Sequence, residues 1–289
     1  MRDGQISRRV LLSSIVAGAG VVACGGSDPF AGEATGQTAG GVSLVAVFGA
    51  GQHESGRPQR FPFVLGDAEG IPMVEVPDSL EFQVRNETGT VAEIEVLALG
   101  AGLPRRYFPV RFTPESPGVH TFVTVVDGEL LEANVELFED GALPILRPGD
   151  ALPALDTPTV DDERGVTPIC TRSPQCDFHA MTLPEALADG PTALLVATPA
   201  FCESVVCGPI LDLLIEASAT NPRLNYIHSE VYADATDGVE PAEPLAPLVE
   251  ALQLTFEPSL LVTDPEGVII DRLDNIFGIE EIEGLLSRA

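Results

Sequence analysis

A proline-rich segment in the middle of the chain most constrains what this sequence can fold into. Residues 141–158 read GALPILRPGDALPALDTP. Each proline lacks a backbone N–H group and keeps the residue before it out of the helical conformation, so the segment favours an extended linker. The hydrophobic pattern also differs on the two sides of this segment. The sequence therefore predicts a multidomain chain whose boundary lies at residues 141–158.

Residues 42–140, on the N-terminal side of the linker, have the pattern of an all-β domain. Short apolar or alternating runs occur at 42–48, 61–65, 79–84, 92–99, 106–112, 120–126 and 133–138. Turn-forming sequences separate these runs, so about seven short strands predict an antiparallel β-sandwich. Residues 112–122 (FTPESPGVHTF) resemble the late hairpin of bacterial immunoglobulin-like domains. The resemblance implies an immunoglobulin-like sandwich that acts as a spacer or a partner-binding module.

The N-terminus has the features of an export signal. Residues 8 and 9 are arginines, and an apolar run of only fourteen residues, 10–23, follows them. A permanent membrane-spanning helix needs roughly 20 residues. Residues 21–24 (VVAC) resemble a bacterial lipobox, which implies that residues 1–23 are removed and that Cys24 carries lipid. Residues 7–12 (SRRVLL) are also similar to a twin-arginine signal, and an ordinary cleaved signal is the alternative.

These features predict a protein that is exported and anchored by lipid to the cell membrane, facing the periplasm or the exterior. Residues 24–41 are small and Gly-rich, which is typical of a flexible tether. All 15 basic residues are arginine and oppose 44 acidic residues, so the net charge is −29. Such a charge repels phosphate backbones, which excludes nucleic-acid partners.

Residues 159–289 have a different pattern, which predicts an α/β domain. The apolar run 192–198 is typical of a strand buried on both faces. The remaining pattern predicts a helix at 209–219, a strand at 223–232, a helix at 245–252, a hairpin of strands 259–263 and 268–273, and a helix at 280–287. The order β-α-β-α-β-β-α is that of the thioredoxin fold.

Residues 193–214 resemble the active-site strand, cysteine pair and first helix of thioredoxin-like proteins. Phe201 precedes Cys202, and Cys207 precedes a proline-bearing helix. Pro258 stands where thioredoxins keep a cis proline beside the redox cysteines. The resemblance covers about half the chain and implies a thioredoxin-like fold without a cofactor. It also implies thiol–disulfide exchange with exported proteins, in which Cys202 attacks and Cys207 resolves.

The spacing of this cysteine pair departs from the family pattern. Four residues separate Cys202 from Cys207, and five residues of helix rise about 7.5 Å. The α-carbons of a disulfide are rarely more than about 6.8 Å apart, so residues 203–206 must form a loop or the helix must start late. Val196 occupies the position where many thioredoxins have a buried acid. A helix N-terminus would still lower the pKa of Cys202. A purely structural disulfide is the alternative.

A second group of candidate site residues lies upstream. Cys170 and Cys176 are followed by His179, and His228 lies in the predicted strand 223–232. In an oxidising compartment, short loops favour a disulfide between Cys170 and Cys176 and another between Cys202 and Cys207. The alternative is a soft metal site, because thiolates and imidazoles bind copper(I) or zinc. Copper chaperones of the Sco type are similar in using a cysteine pair and a distant histidine, although their spacing differs. Without a metal, His179 and His228 are expected to be hydrogen-bonded structural residues, and a non-catalytic binding scaffold also remains open.

Overall fold

The computed structural model describes residues 41–202, 205–235 and 244–289. The predicted signal peptide, Cys24 and nearly all of the predicted tether lie outside the described residues. In the described part of the chain, strands predominate over four helices. None of the described helices is long and apolar enough to cross a membrane.

The N-terminal part of the described chain consists of strands, as its pattern predicts. Its elements are β1 (Val42–Ala46), β2 (Gln59–Asp67), β3 (Ser79–Asn86), β4 (Gly89–Leu97), β5 (Phe108–Phe112), β6 (Gly118–Val126) and β7 (Glu129–Leu137). They form two antiparallel sheets with the strand orders β1-β2-β5 and β4-β3-β6-β7. Residues 41–140 thus contain seven strands, each overlapping one of the seven predicted runs.

Aromatic side chains fill the space between these two sheets. Phe61 and Phe63 of β2 are fully buried, as are Phe82 of β3 and Phe122 of β6. The ring centroids of Phe61 and Phe122 are 4.9 Å apart, and those of Phe63 and Phe82 are 5.7 Å apart. These separations are typical of favourable aromatic pairs, which add to the free energy gained from burial. The alternation along β2 and β3 therefore places one face of each sheet in a shared core.

The C-terminal part combines helices with a four-stranded sheet. Its elements are α1 (Leu183–Asp189), β8 (Thr192–Val196), α2 (Cys207–Thr220), β9 (Asn225–Ser229), α3 (Pro247–Leu252), β10 (Ser259–Thr263), β11 (Ile269–Asp274) and α4 (Ile279–Leu286). The strand order is β11-β10-β8-β9, in which β8 and β9 are parallel and the other pairs are antiparallel. Every residue of β8 is buried, as its continuous apolar run predicts.

Helix α1 is an element that the hydrophobic pattern did not predict. Its N-cap Thr182 accepts a hydrogen bond from the backbone N–H of Glu185, and the Glu185 side chain accepts one from the backbone N–H of Thr182. This capping box stabilises the first turn of a helix only seven residues long. The sequence TLPE at 182–185 was therefore a usable signal.

The proline-rich segment contains no strand or helix, but it packs against both parts of the chain. Arg147 pairs with the fully buried Glu54 at 2.6 Å. On the other side, Gly149 N–H donates to the carbonyl of Ile269, and Ile269 N–H donates to the carbonyl of Asp150. Residues 141–158 are thus fixed to the N-terminal part by an ion pair and to β11 by backbone hydrogen bonds.

A buried ion cluster joins the two parts of the chain. Glu281 of α4 accepts hydrogen bonds from Arg60 of β2 at 2.5 Å and from Arg111 of β5 at 2.7 Å. The hydroxyl of Tyr107 also donates to Glu281 at 2.7 Å and accepts from Gly278 N–H. Burial by itself raises the pKa of Glu281, but the charges and hydrogen bonds of the two arginines lower it to about 2. The cluster therefore contains an ionised carboxylate at neutral pH.

We expect Glu281→Gln to lower the free energy of unfolding by about 3 kcal/mol, because it leaves the buried Arg60 without a counter-charge. Urea unfolding of the two proteins measures this difference. Asp78→Asn is the matched control, because Asp78 pairs with Arg106 at 3.0 Å but its side chain is 96% exposed. An exposed pair contributes about 1 kcal/mol or less, so equal losses in the two variants would contradict the role of the cluster.

The stability that Glu281 provides should depend on pH in a defined window. The pKa of this carboxyl is about 2 in the folded protein and 4.5 in the unfolded chain. Its contribution is therefore complete above pH 4.5 and is lost as the pH falls from 4.5 towards 2. Urea unfolding from pH 7 to 3 should show the difference between wild type and Glu281→Gln shrinking only below pH 4.5. A constant difference would show that the ionisation of Glu281 contributes nothing.

Candidate functional site

Cys202 and Cys207 form a disulfide at the junction between β8 and α2. Their α-carbons are 5.9 Å apart, within the range that a disulfide accepts. The predicted late start of the helix is confirmed, because α2 begins at Cys207. The chain turns at Val205, which has a φ of 53°, and Val205 N–H donates to the carbonyl of Cys202.

This arrangement corrects the expected position of the cysteines relative to the helix. The first residue of α2 is Cys207, and Cys202 lies in the preceding loop. The N-terminus of the helix therefore lies next to Cys207 rather than Cys202. The side chains also differ in exposure, since Cys202 is 8% exposed and Cys207 is fully buried. Cys202 is thus the less deeply buried half of the disulfide.

A carboxylate lies beside the buried half of the disulfide. The Oε2 atom of Glu257 is 3.6 Å from Cys207 Sγ and accepts a hydrogen bond from Thr198 N–H at 2.9 Å. Glu257 precedes Pro258, and the peptide bond between them is cis, as the resemblance to thioredoxins implies. Val196 stands where the family has its buried acid, and Glu257, which the sequence pattern did not indicate, lies beside the disulfide instead. Its one signal was its position next to the predicted cis proline.

The second candidate group is brought together by the fold. The ligand atoms of Cys170, Cys176, His179 and His228 all lie within 4.8 Å of one another, and the four side chains are buried. Cys170, Cys176 and His179 come from the segment before α1, whereas His228 is in β9. Cys176 Sγ is 3.6 Å from His228 Nδ1, and His228 Nδ1 is 3.3 Å from His179 Nε2.

The predicted disulfide between Cys170 and Cys176 is not formed. Both cysteines are free, and their Sγ atoms are 3.8 Å apart, compared with about 2.05 Å in a disulfide. The hydrogen bond with Cys176 lowers the pKa of Cys170 far below its ordinary value and raises the pKa of Cys176. The two thiols are therefore strongly coupled to each other.

The environment of the histidines fixes the direction in which each ring points. His228 Nε2 lies 2.9 Å from the carbonyl oxygen of Ala197, which can only accept, so Nε2 carries a proton and donates. The Nδ1 atom of the same ring then faces Cys176 and His179. Within the described part of the chain, His179 Nδ1 has no hydrogen-bond partner, so its ring interacts through Nε2. Both rings thus direct one nitrogen towards the sulfurs.

A buried acid lies next to this group. The carboxylate of Glu230 is 4.0 Å from His228 Nε2 and accepts a hydrogen bond from Thr171 N–H at 2.6 Å. Burial raises the pKa of Glu230 to about 7. Burial opposes the charged form of His228, but Cys170 and Glu230 raise its pKa. This part of the protein therefore holds several ionisable groups away from solvent.

Contacts join the second group to the disulfide loop. The hydroxyl of Thr171 accepts a hydrogen bond from Ala200 N–H at 3.0 Å. Arg172 pairs with Asp212 of α2 at 2.7 Å. The segment that contains Cys170 and Cys176 therefore rests against both the disulfide loop and the helix that follows it.

A cavity of about 540 Å³ lies between the two parts of the chain, away from both cysteine sites. Six arginines line it, namely Arg57, Arg60, Arg111, Arg147, Arg272 and Arg288. Each of them pairs with a carboxylate. The positive charges of the arginines that line this cavity are therefore balanced by neighbouring carboxylates.

Comparison with known proteins adds no assignment to these sites. No protein-family model matches the chain, and no curated protein is significantly similar to it. The chemistry of the two cysteine sites therefore rests on their own geometry.

Proposed function

We propose that this protein carries out thiol–disulfide exchange at Cys202 and Cys207 on other exported proteins. The observation that carries the proposal is the disulfide at the β8–α2 junction with the Glu257 carboxylate 3.6 Å from Cys207 Sγ. Cys202 is less deeply buried than Cys207, and a carboxylate that can accept a proton lies beside Cys207. A purely structural disulfide needs none of these asymmetries.

The fold supports the same proposal. The element order from β8 to α4 and the sheet order β11-β10-β8-β9 support a thioredoxin-like unit as part of the proposal. The two antiparallel sheets β1-β2-β5 and β4-β3-β6-β7 likewise support an immunoglobulin-like sandwich. We therefore assign the N-terminal part a spacer or partner-binding role and the C-terminal part the chemistry.

The first step of the proposed exchange starts at the Sγ atom of Cys202, the less deeply buried cysteine. A substrate thiolate attacks Cys202 Sγ, the bond between Cys202 and Cys207 breaks, and Cys207 leaves as a thiolate. The N-terminus of α2 stabilises this leaving group, because Cys207 is the first residue of the helix. No lysine exists in the chain to take that role. The product is a mixed disulfide between the substrate and Cys202.

The second step completes a two-electron exchange. A second thiolate of the substrate attacks the substrate sulfur of the mixed disulfide, and Cys202 leaves as a thiolate. The substrate dithiol is then oxidised to a disulfide, and the pair Cys202 and Cys207 is reduced. In the reverse direction, Glu257 accepts the proton of the Cys207 thiol, so that Cys207 can attack the mixed disulfide.

The proposed location is outside the cytoplasmic membrane. The resemblance of residues 21–24 to a lipobox supports lipid attachment at Cys24, with residues 24–41 as the tether. Disulfides persist in oxidising compartments, where exported proteins supply thiols and disulfides as partners. The large negative charge keeps the protein soluble beside an anionic membrane.

Cys202→Ser should abolish oxidation of a dithiol peptide, because it removes the sulfur that the substrate thiolate attacks. The oxidised wild-type protein is expected to convert one peptide per chain, measured by mass spectrometry after acid quenching. Cys207→Ser is the informative partner variant: given the same peptide in its disulfide form, its Cys202 thiolate should attack that disulfide and hold the peptide as a mixed disulfide, because Cys207 is not there to resolve it. Equal peptide oxidation by wild type and Cys202→Ser would remove the proposed function.

Glu257→Gln should slow the attack of Cys207 on a mixed disulfide by roughly 100-fold, because an amide cannot accept the thiol proton. Rapid quenching of the reduced protein with a disulfide peptide measures the lifetime of the mixed disulfide. The difference should shrink at alkaline pH, where the Cys207 thiol ionises without a base.

Glu216→Gln is the matched control for this measurement. It makes the same change in charge at an exposed position of α2. A slower reaction in both variants, or in neither, would show that Glu257 does not move the proton.

A further inference from the structure

Three of the six distances between ligand atoms in the Cys170, Cys176, His179 and His228 group match a tetrahedral metal site, and all six are within 4.8 Å. Zinc binds sulfur at about 2.3 Å and nitrogen at about 2.0–2.1 Å. A regular tetrahedron with these bonds has edges of about 3.8 Å between sulfurs, 3.6 Å between sulfur and nitrogen, and 3.3 Å between nitrogens. The structure has 3.8 Å, 3.6 Å and 3.3 Å for these three kinds of pair. We propose that these four residues bind one zinc ion.

The hydrogen bonds around His228 are those of a metal ligand. A histidine that binds metal through one nitrogen donates its other N–H to a carbonyl or carboxylate, which fixes the orientation of the ring. His228 Nε2 lies 2.9 Å from the Ala197 carbonyl oxygen, and its Nδ1 lone pair therefore points at Cys176 and His179. The fold itself provides this outer partner, because Ala197 directly follows β8, which pairs with β9.

The closed geometry favours a structural role for the metal. Two cysteines and two histidines complete a four-coordinate shell, and structural zinc sites have four protein ligands with no open position. All four side chains are buried, which suits an ion with a structural role. Zinc is preferred to copper(I) here, because a tetrahedral shell of two sulfurs and two nitrogens is typical of zinc.

A bound zinc ion also explains why two adjacent thiols remain reduced. Cys170 and Cys176 lie 3.8 Å apart, and two thiols this close tend to oxidise in an extracytoplasmic compartment. Shared coordination holds both sulfurs as thiolates at a separation that a disulfide does not allow. The site thereby separates the two cysteine pairs, so that only Cys202 and Cys207 exchange electrons.

The zinc site would position the segment that contacts the exchange loop. Thr171 and Arg172 lie between the two cysteine ligands, and they contact Ala200 and Asp212, respectively. Zinc therefore links residues 170–179 to β9 and holds them against the loop before Cys202. Loss of the metal is expected to loosen this support without removing any atom of the exchange pair.

The test is metal content and coordination of the purified protein. Elemental analysis should find one zinc ion per chain, and replacement with cobalt(II) should give the intense visible absorption of a tetrahedral thiolate site. Cys176→Ser and His228→Gln should lose the stoichiometric metal. His120→Gln is the matched control, because His120 is also buried but lies in β6 of the N-terminal part.

A conservative variant keeps the test valid if a ligand substitution prevents folding. His179→Cys replaces one nitrogen ligand with sulfur, and Cys₃His is also a common zinc shell. It should therefore retain one metal ion and a tetrahedral cobalt spectrum with stronger sulfur-to-metal absorption. Loss of metal from this variant together with a normal fold would contradict the assigned ligand.

Three other results would overturn the proposal. They are the absence of zinc at saturating concentration, a native disulfide between Cys170 and Cys176 in non-reducing mass spectrometry, and a site that takes up copper(I) but neither zinc nor cobalt. The outcome is independent of the exchange reaction, because Cys202→Ser should keep its zinc whether or not wild type oxidises a dithiol peptide.

Discussion

The parallel pairing of β8 with β9 is the constraint on which both cysteine sites depend. Val196 pairs with Ser229 in this ladder, so the two strands end at the same edge of the sheet. Strand β10 runs antiparallel to β8 and begins opposite Val196. The loop after β8, the end of β9 and the residues before β10 therefore meet at one edge. Ligands in open α/β sheets commonly bind beyond the carboxyl ends of the strands, and both cysteine groups lie at the corresponding edge of this sheet.

The two sites at this edge use the same atom type in different ways. At the β8–α2 junction, two sulfurs are bonded to each other beside the carboxylate of Glu257. In the segment before α1, Cys170 and Cys176 lie beside two imidazole rings and are not bonded to each other. Different side chains surround the two cysteine pairs. A carboxylate can accept a proton from a thiol, whereas imidazoles can bind a metal ion together with thiolates. In the proposed function the first site reacts, and in the proposed zinc site the second one holds the first in position.

Arginine side chains neutralise the buried carboxylates of this acidic protein. Glu54 and Glu281 are buried carboxylates, and each is neutralised by guanidinium groups from a distant part of the sequence. A buried charge without a partner costs several kcal/mol, so these pairs fix how the two parts of the chain meet. The planar guanidinium can donate two parallel hydrogen bonds to one carboxylate, as Arg60 does to Glu281. Lysine, which this sequence lacks, cannot do so.

Local pattern in the sequence determined the seven strands before the linker, the buried strand β8, the late start of α2 and the residue types of both cysteine sites. These features depend on the spacing of apolar side chains, on the length of the segments and on the distance that a disulfide can span. All three can be read from the sequence. It missed α1, because a helix of seven residues has too few turns for a hydrophobic period and only its capping box marks it. Short loops favoured a disulfide between Cys170 and Cys176 over the metal site with His179 and His228, because spacing along the chain does not show that His228, 52 residues from Cys176, lies beside it. Only the tertiary structure placed Glu257 beside Cys207 and Glu281 beside Arg60, because these contacts join residues 50 and 221 positions apart through strand pairing and packing.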